Sequence, residues 1–316
     1  YSTNPEARWA FDTLFKAEVA NHQWLDAESS LDKGEQRKHV EKNIARRRRA
    51  VLNTAEADRL HDDGEYAAAL ELAVKAHKLA PEFAPATALA AKLYKIQGDP
   101  KAATKLIEKS WSQAAHPALS LSFLDTLENA DNKTRDKRLA ALVKQAPDHR
   151  ETKIILAEDH LRRGDAVQAW AVLSPLLRGN EAPSSRLCVL AAQSEERLNN
   201  PTDARLWLQR AAIAPREADW SDLDPSGESF DYSPQDWRRL VFSFGDTGEL
   251  IHPRFDRRSP LRLPGVKETE PEAEKDAPAQ AEAASESSPE ISAEPSQPEQ
   301  KGLADRLDSL LDKPKS

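Results

Sequence analysis

The residues best able to move protons or bind a metal at neutral pH are eight histidines: His22, His39, His61, His77, His116, His149, His160 and His252. No two of them stand as His-x-x-x-His, the spacing that puts two imidazoles on one helix face. The chain has no Gly-x-Gly-x-x-Gly and no phosphate loop. Its one cysteine, Cys188, sits in Leu187-Cys188-Val189-Leu190 and reads as a small buried hydrophobe rather than a nucleophile. A single cysteine excludes an internal disulfide and a cysteine-built zinc site. With no catalytic constellation, the chain is read as non-enzymatic, with no metal and no cofactor of its own. Haem or metal ligation by His61 or His160 is the alternative left open.

The other concentrated chemistry is basic. Arg46, Arg47, Arg48 and Arg49 are consecutive, with Arg37, Lys38 and Lys42 upstream. On a helix four successive residues cover roughly 300°, at about 100° each, so they cannot form one narrow stripe. They are read either as a solvated helix with some acidic partners, or as a contact with anionic lipid head groups or an acidic partner protein.

The elements that carry these groups are helical. Only 10 glycines against 21 prolines, and 6% aromatics, argue against a turn-rich β fold. Ala, Leu, Glu, Lys and Arg dominate. The net charge is −8, and 266–300 alone holds ten acidic residues, two lysines and five prolines. That stretch has almost no large aliphatics and cannot bury enough apolar surface to offset its conformational entropy, so 266–301 is expected to be a disordered acidic linker. The remainder is close to neutral, which disfavours nucleic acid as a partner. No apolar run approaches the roughly 20 residues of a membrane span. The chain opens at Tyr1 in what reads as mid-domain text, and an upstream segment is expected.

Self-similarity defines the architecture. Gly64 and Gly98 are 34 apart, and Gly98 and Gly164 are 66 apart. Ala57, Ala91, Ala157 and Ala192 follow at 34, 66 and 35; Ala69, Ala103, Ala169 and Ala204 at 34, 66 and 35. Pro81, Pro147 and Pro215 keep the same register. This pattern resembles the tetratricopeptide repeat (TPR), a hairpin of helices A and B. Small residues permit the close crossing of A and B, the glycine turns the chain between them, and the proline ends helix B. The repeats are assigned as 50–83, 84–117, 118–149, 150–184 and 185–217. The third is degenerate, with Phe123 at a small position and Arg135 in place of alanine. The expected fold is an all-α, TPR-like α-solenoid, because each hairpin buries its apolar face only by stacking.

An N-terminal region, 1–49, holds a helical pair with Trp9, Phe11, Leu14, Phe15 and Val19, then Trp24, Leu25 and Leu31. This pair is expected to pack on a basic helix starting near Glu35. Residues 218–265 read as a small irregular cap over the exposed last helix. A short helix is expected around 234–240, then Leu240 to Ile251 reads as a strand and turn, with Trp220, Trp237, Phe242 and Phe244 as cap core. Leu303, Leu307, Leu310 and Leu311 share one face of a short amphipathic helix, 302–313. It is either a frayed tail or a docking motif that folds on a partner's groove or back on this protein.

In this register the concave face should carry Asp58 and His61, Lys92 and Lys95, Glu158 and Arg162, then Gln193 and Arg197. Such a mixed-charge groove suits a peptide or helix of a partner protein. It lacks the regularly placed Lys, Asn and Arg that clamp a terminal carboxylate, which disfavours a chaperone C-terminus.

The text outside the repeat consensus is more specific. Arg47 to Ala55 leads the first repeat and Ala76-His77-Lys78-Leu79-Ala80-Pro81 closes it. Leu89-Ala90-Ala91-Lys92-Leu93, His116-Pro117, Trp170 to Leu177, Trp207-Leu208-Gln209-Arg210-Ala211 and Ala214-Pro215-Arg216 follow. In that order, over roughly 7–258, the chain resembles the HemY-type membrane-anchored TPR family of proteobacteria, in its alphaproteobacterial branch. The resemblance implies N-terminal membrane anchors absent from this chain and a location at the bacterial inner membrane with the repeats cytoplasmic. It also implies partners among late haem (protoporphyrin) biosynthesis enzymes, organised rather than catalysed. An adaptor for another envelope assembly, such as lipopolysaccharide control, and a haem or porphyrin carrier are the alternatives.

Overall fold

The computed structural model describes residues 8–179, 182–219 and 230–255. All belong to one compact unit, Tyr1–Arg262. The acidic linker, the terminal leucine helix and Trp220 lie outside the described residues. Among the described residues every regular element is helical. No helix there is long and apolar enough to cross a membrane.

Two helices open the chain, α1 (Arg8–Ala20) and α2 (Trp24–Gln36). Five hairpins follow: α3 (Lys42–Asp62) with α4 (Tyr66–Leu79), α5 (Ala84–Ile96) with α6 (Pro100–Trp111), and α7 (Pro117–Thr126) with α8 (Asn132–Gln145). Then come α9 (Arg150–Arg162) with α10 (Ala166–Leu177), and α11 (Ser185–Arg197) with α12 (Pro201–Ile213). Two short helices, α13 (Pro234–Phe242) and α14 (Phe244–Thr247), complete the described chain.

The small residues sit where the helices cross. Ala57, Ala69, Ala91, Ala103, Ala157 and Ala169 are buried. Gly64, Gly98 and Gly164 take positive φ of 80–82° at the A-to-B turns, where a Cβ is disfavoured. In the fifth repeat Asn199 takes that place at φ 60°. Helix starts are marked chemically. Asp99, Asp131, Asp165 and Ser184 cap α6, α8, α10 and α11, each accepting from the backbone N–H three residues on. His116 and His149 do the same for α7 and α9, accepting at Nδ1 from Ala118 and Glu151, both at 3.1 Å.

The A helices α3, α5, α7, α9 and α11 contact one another in sequence along the stack. Closer spacing on one side of a two-layer stack curves it towards that side, so the A helices line the inner face.

Three expectations are corrected. The basic helix begins at Lys42, not near Glu35, because α2 runs to Gln36 and the chain turns through Lys38 at φ 59°. Trp9 and Leu25 are 70% and 53% exposed, so Phe11, Phe15, Val19, Trp24 and Leu31 make the N-terminal core without them. The helix α2 also needs Gly34, where a Cβ would lie 2.5 Å from the Phe11 ring.

The third correction concerns the cap. The short helix expected at 234–240 is α13, but it runs on to Phe242 and α14 follows to Thr247, so the part of 240–251 expected as a strand is helical. Ser233 and Asp236 form a capping box, Pro234 takes the first helical position, and Trp237, Leu240, Val241 and Phe244 recur at helical spacing. Nor do the described helices of the cap cover α12. Helices α13 and α14 pack on α3. Their Trp237, Leu240, Val241 and Phe244, with Tyr232 just before α13, join Phe11, Phe15, Val51, Leu52 and Phe83 in one core. Phe244 stacks on Phe83 at 4.6 Å.

Candidate functional site

After α12, the described residues 215–219 and 230–232 lie against the inner helices. Pro215 O accepts from Ser185 N at 3.0 Å, and Ala218 O from His252 N at 2.7 Å. The Phe230 ring lies 5.7 Å from both His116 and His252. Tyr232 packs 4.8 Å from Trp237, and Trp237 Nε1 donates to Asp58 at 2.9 Å. The α3 end of the concave face is therefore closed by the chain itself. A small cavity of about 90 Å³ remains under it, walled by Asp58, Ala88, Lys92, Asp231 and Trp237. Burial lifts the Asp58 carboxyl above its ordinary value, while the Trp237 hydrogen bond and Lys92 oppose the shift.

The eight expected groove residues divide. Asp58 is consumed by the cap. His61 Nδ1 lies 3.1 Å from Asp62 and its ring 5.8 Å from Tyr66. Lys92 is exposed at the cavity rim, and Lys95 bridges to Asp125 at 2.6 Å and Glu128 at 3.3 Å on α7 and its end. Arg162, Gln193 and Arg197 are exposed on α9 and α11. Arg162 pairs only locally with Asp159 at 3.1 Å, and Arg197 donates to Gln193 O at 3.2 Å. His160 stays apart, its Nδ1 4.0 Å from Asp165.

Glu158 belongs to a larger ionic cluster. Arg186 donates to both oxygens of Glu151 at 2.8 and 2.9 Å and to Glu158 at 3.2 Å, with Glu217 at 3.7 Å. Ser120 Oγ donates to Glu151 at 2.6 Å, and Arg150 and Ser184 both donate to Glu217. Glu151, Arg186 and Glu217 are 4–8% exposed at their side chains. Burial would raise the Glu151 carboxyl, but Arg186 and Ser120 bring it below its ordinary value. Burial raises Glu158, with Glu151 and Glu217 adding to the shift. A buried bidentate pair of this kind fixes geometry more than it stabilises. It ties α9, α11 and the return segment together. Glu151 and Arg186 occupy equivalent positions of consecutive repeats, 35 apart, and that opposite-charge register was the sequence signal for them.

The four arginines have partners within the chain. Arg46 donates to Leu79 O and, at 2.8 Å, to Glu82. Arg47 donates to Gly245 O at 3.1 Å and Asp246 O at 2.6 Å. Arg48 pairs with Asp246 at 2.8 Å while its guanidinium lies 5.1 Å from the Phe15 ring centre and 5.5 Å from that of Phe242. Arg49 holds Asp32 at 2.5 Å and Glu35 at 2.8 Å. Of the two readings of this run, the helix with acidic partners is the one these contacts match. They clamp α2, α4 and α14 around α3, and side-chain exposure is 14% for Arg48 and 17% for Arg49. Cys188 is buried, and burial pushes its thiol up. Leu303, Leu307, Leu310 and Leu311 lie outside the described residues.

No protein-family model matches the sequence, and no curated protein matches it. Among solved structures, a tetratricopeptide repeat protein from Parabacteroides merdae is similar at 15% identity, covering 76% of this chain and 86% of that chain, with a TM-score of 0.38. The architecture of this chain stands on its own backbone: stacked A/B hairpins at a 34-residue period, with small residues at the crossings and left-handed turns between helices, the tetratricopeptide-type α-solenoid.

Proposed function

We propose that the chain is a non-catalytic scaffold that binds partner proteins on the open, α9–α11 part of its concave face. The observation that carries this is the division of that face. The return segment closes the α3 end, while Arg162, Gln193 and Arg197 stand exposed in repeat register on neighbouring inner helices. Side chains spaced by the repeat on a rigid concave surface suit an extended or helical segment of another protein.

The finer proposal is that these partners are enzymes of late haem synthesis, held at the bacterial inner membrane with the repeats on the cytoplasmic side. Its support is the ordered motif text from Arg47 to Arg216 that resembles the HemY-type family. In this proposal the chain carries no cofactor of its own.

Affinity purification of the full chain after cross-linking in cells tests both levels. Arg162→Glu with Arg197→Glu should remove the captured partners without changing helicity or melting temperature. Unchanged capture by this variant refutes the groove. Capture that depends on the groove but contains only factors of another envelope process refutes the haem assignment alone.

A further inference from the structure

The cavity beside Asp58 is small, but it is walled by polar groups that the fold leaves unpaired. Asp58 and Lys92 stand 34 apart, at equivalent positions of the inner helices α3 and α5. Their charges are opposite, yet among the described residues Lys92 forms no ion pair with Asp58 or with Asp231. The Asp58 carboxylate accepts the Trp237 indole N–H on Oδ2 at 2.9 Å, and no other hydrogen bond reaches it among the described residues. Asp231 is engaged only through its backbone carbonyl, which accepts from Arg254. Tyr232 is 8% exposed, and its hydroxyl has no hydrogen-bond partner among the described residues. A buried phenol without a partner calls for one.

Asp58, Asp231, Tyr232 and Lys92 all line the same space of about 90 Å³, which Phe230 and Trp237 share with them. Two carboxylates and one ammonium leave a single negative charge there. Burial already lifts the Asp58 carboxyl, and the charge of Asp231 adds to that lift. A cation brought between the two carboxylates relieves both effects. Aromatic side chains are the wall material that suits an ammonium. Pro85, Ala88 and Leu89 supply an apolar lining, against which a short alkyl chain can lie. The space is too small for a drug-sized ligand or a folded segment.

We propose that this cavity is a binding site for a primary ammonium group on a short alkyl chain. The ammonium has three N–H donors, which match the free acceptors of Asp58, Asp231 and the Tyr232 hydroxyl. A free alkylamine and the lysine side chain of a partner protein present this same chemistry. An anion fits less well, because two carboxylates face it against one exposed lysine. Water alone would satisfy the polar atoms but would leave the negative charge uncompensated. The cavity does not involve Arg162, Gln193 or Arg197, so it stands or falls independently of the open groove.

The probe is n-butylammonium, which is the lysine side chain without its backbone. It is titrated into the isotope-labelled full chain, and the Trp237 indole N–H signal, assigned by its loss in Trp237→Phe, is followed by NMR. A saturable shift in the millimolar range is expected, weaker at high salt. Asp58→Asn keeps the fold and should weaken binding about tenfold. Tyr232→Phe keeps the ring and should weaken it several-fold. Lys92→Ala removes a like charge and should strengthen it, whereas Arg162→Glu with Arg197→Glu should leave it unchanged. Nα-acetyl-lysine methylamide separates the two sources. Binding as tight as that of n-butylammonium supports a partner's lysine, and binding of n-butylammonium alone supports a free amine. Absence of a saturable shift overturns the proposal and leaves the cavity to water. Equal binding of uncharged n-butanol overturns it, as does loss of binding in Lys92→Ala, which would mark the ligand as an anion.

Discussion

The indole N–H of Trp237 donates to the Asp58 carboxylate at 2.9 Å, joining residues 179 apart in sequence. That bond closes the first repeat's inner helix under the cap, and it decides which part of the concave face remains available. Trp237→Phe keeps the ring's bulk but leaves a half-buried carboxylate without its donor. A loss of about 1–3 kcal/mol in urea denaturation is expected. Asp58→Asn keeps an acceptor and removes the charge that burial disfavours, so it should be neutral or stabilising by up to about 1 kcal/mol.

Gly245 abuts α3 so closely that a Cβ would meet Arg48 Cγ at 2.6 Å. Gly245→Ala must push the Arg48 side chain off Phe15 and Phe242. It should cost about 1–3 kcal/mol by overpacking. Gly64→Ala has open space but a φ of +82°, so it should cost about 1 kcal/mol through backbone strain alone. Differential melting of the two variants separates the causes.

The His116 imidazole caps α7, and burial pushes it down from 6.5 to about 4; His252 and Arg186 add to the shift and Glu151 opposes it. The folded state then binds fewer protons than the unfolded one between those values. Stability from this group is complete above about pH 6.5 and is lost as pH falls towards 4. The loss amounts to about 3 kcal/mol by linkage. His77, depressed by burial, works in the same direction. His116→Asn keeps a capping oxygen without a titrating ring and should flatten the urea-denaturation profile over this range.

Arg186→Met leaves Glu151 and Glu217 buried without their shared cation, and a loss of about 3–5 kcal/mol is expected from equilibrium unfolding. Adding Glu151→Gln to Arg186→Met should recover part of it. An unchanged loss in the double variant would show that the pair is not what Arg186 stabilises.

Much of the solenoid is legible locally. Ala57, Gly64 and Ala69 repeat because each hairpin must make the same crossing and the same turn, so the constraint returns every 34 residues. Asn199 hid one such turn by filling the glycine's place with the other residue that tolerates a left-handed backbone. The cap was harder. Its helical spacing, Trp237, Leu240, Val241 and Phe244, is visible, but Gly245 and Gly248 beside Phe242 and Ile251 mimic a strand and turn. Its destination on α3 is a long-range contact that no local period encodes. For the arginine run the sequence offered acidic partners without saying which: Asp32, Glu82 and Asp246 are scattered in sequence and meet Arg49, Arg46 and Arg48 only after folding. Of the groove residues, those late in α9 and α11 remain accessible because the return segment crosses the opposite ends of these helices, at Glu151, Arg186 and Glu217.

Photo-cross-linking from position 193 addresses the open groove most directly. With p-benzoylphenylalanine replacing Gln193 on α11, irradiation of cells should join the full chain to a partner protein, while the same label replacing Gln168 on the outer face of α10 should not. Labelling at 193 that yields nothing, or only cross-links within the chain, would contradict the account.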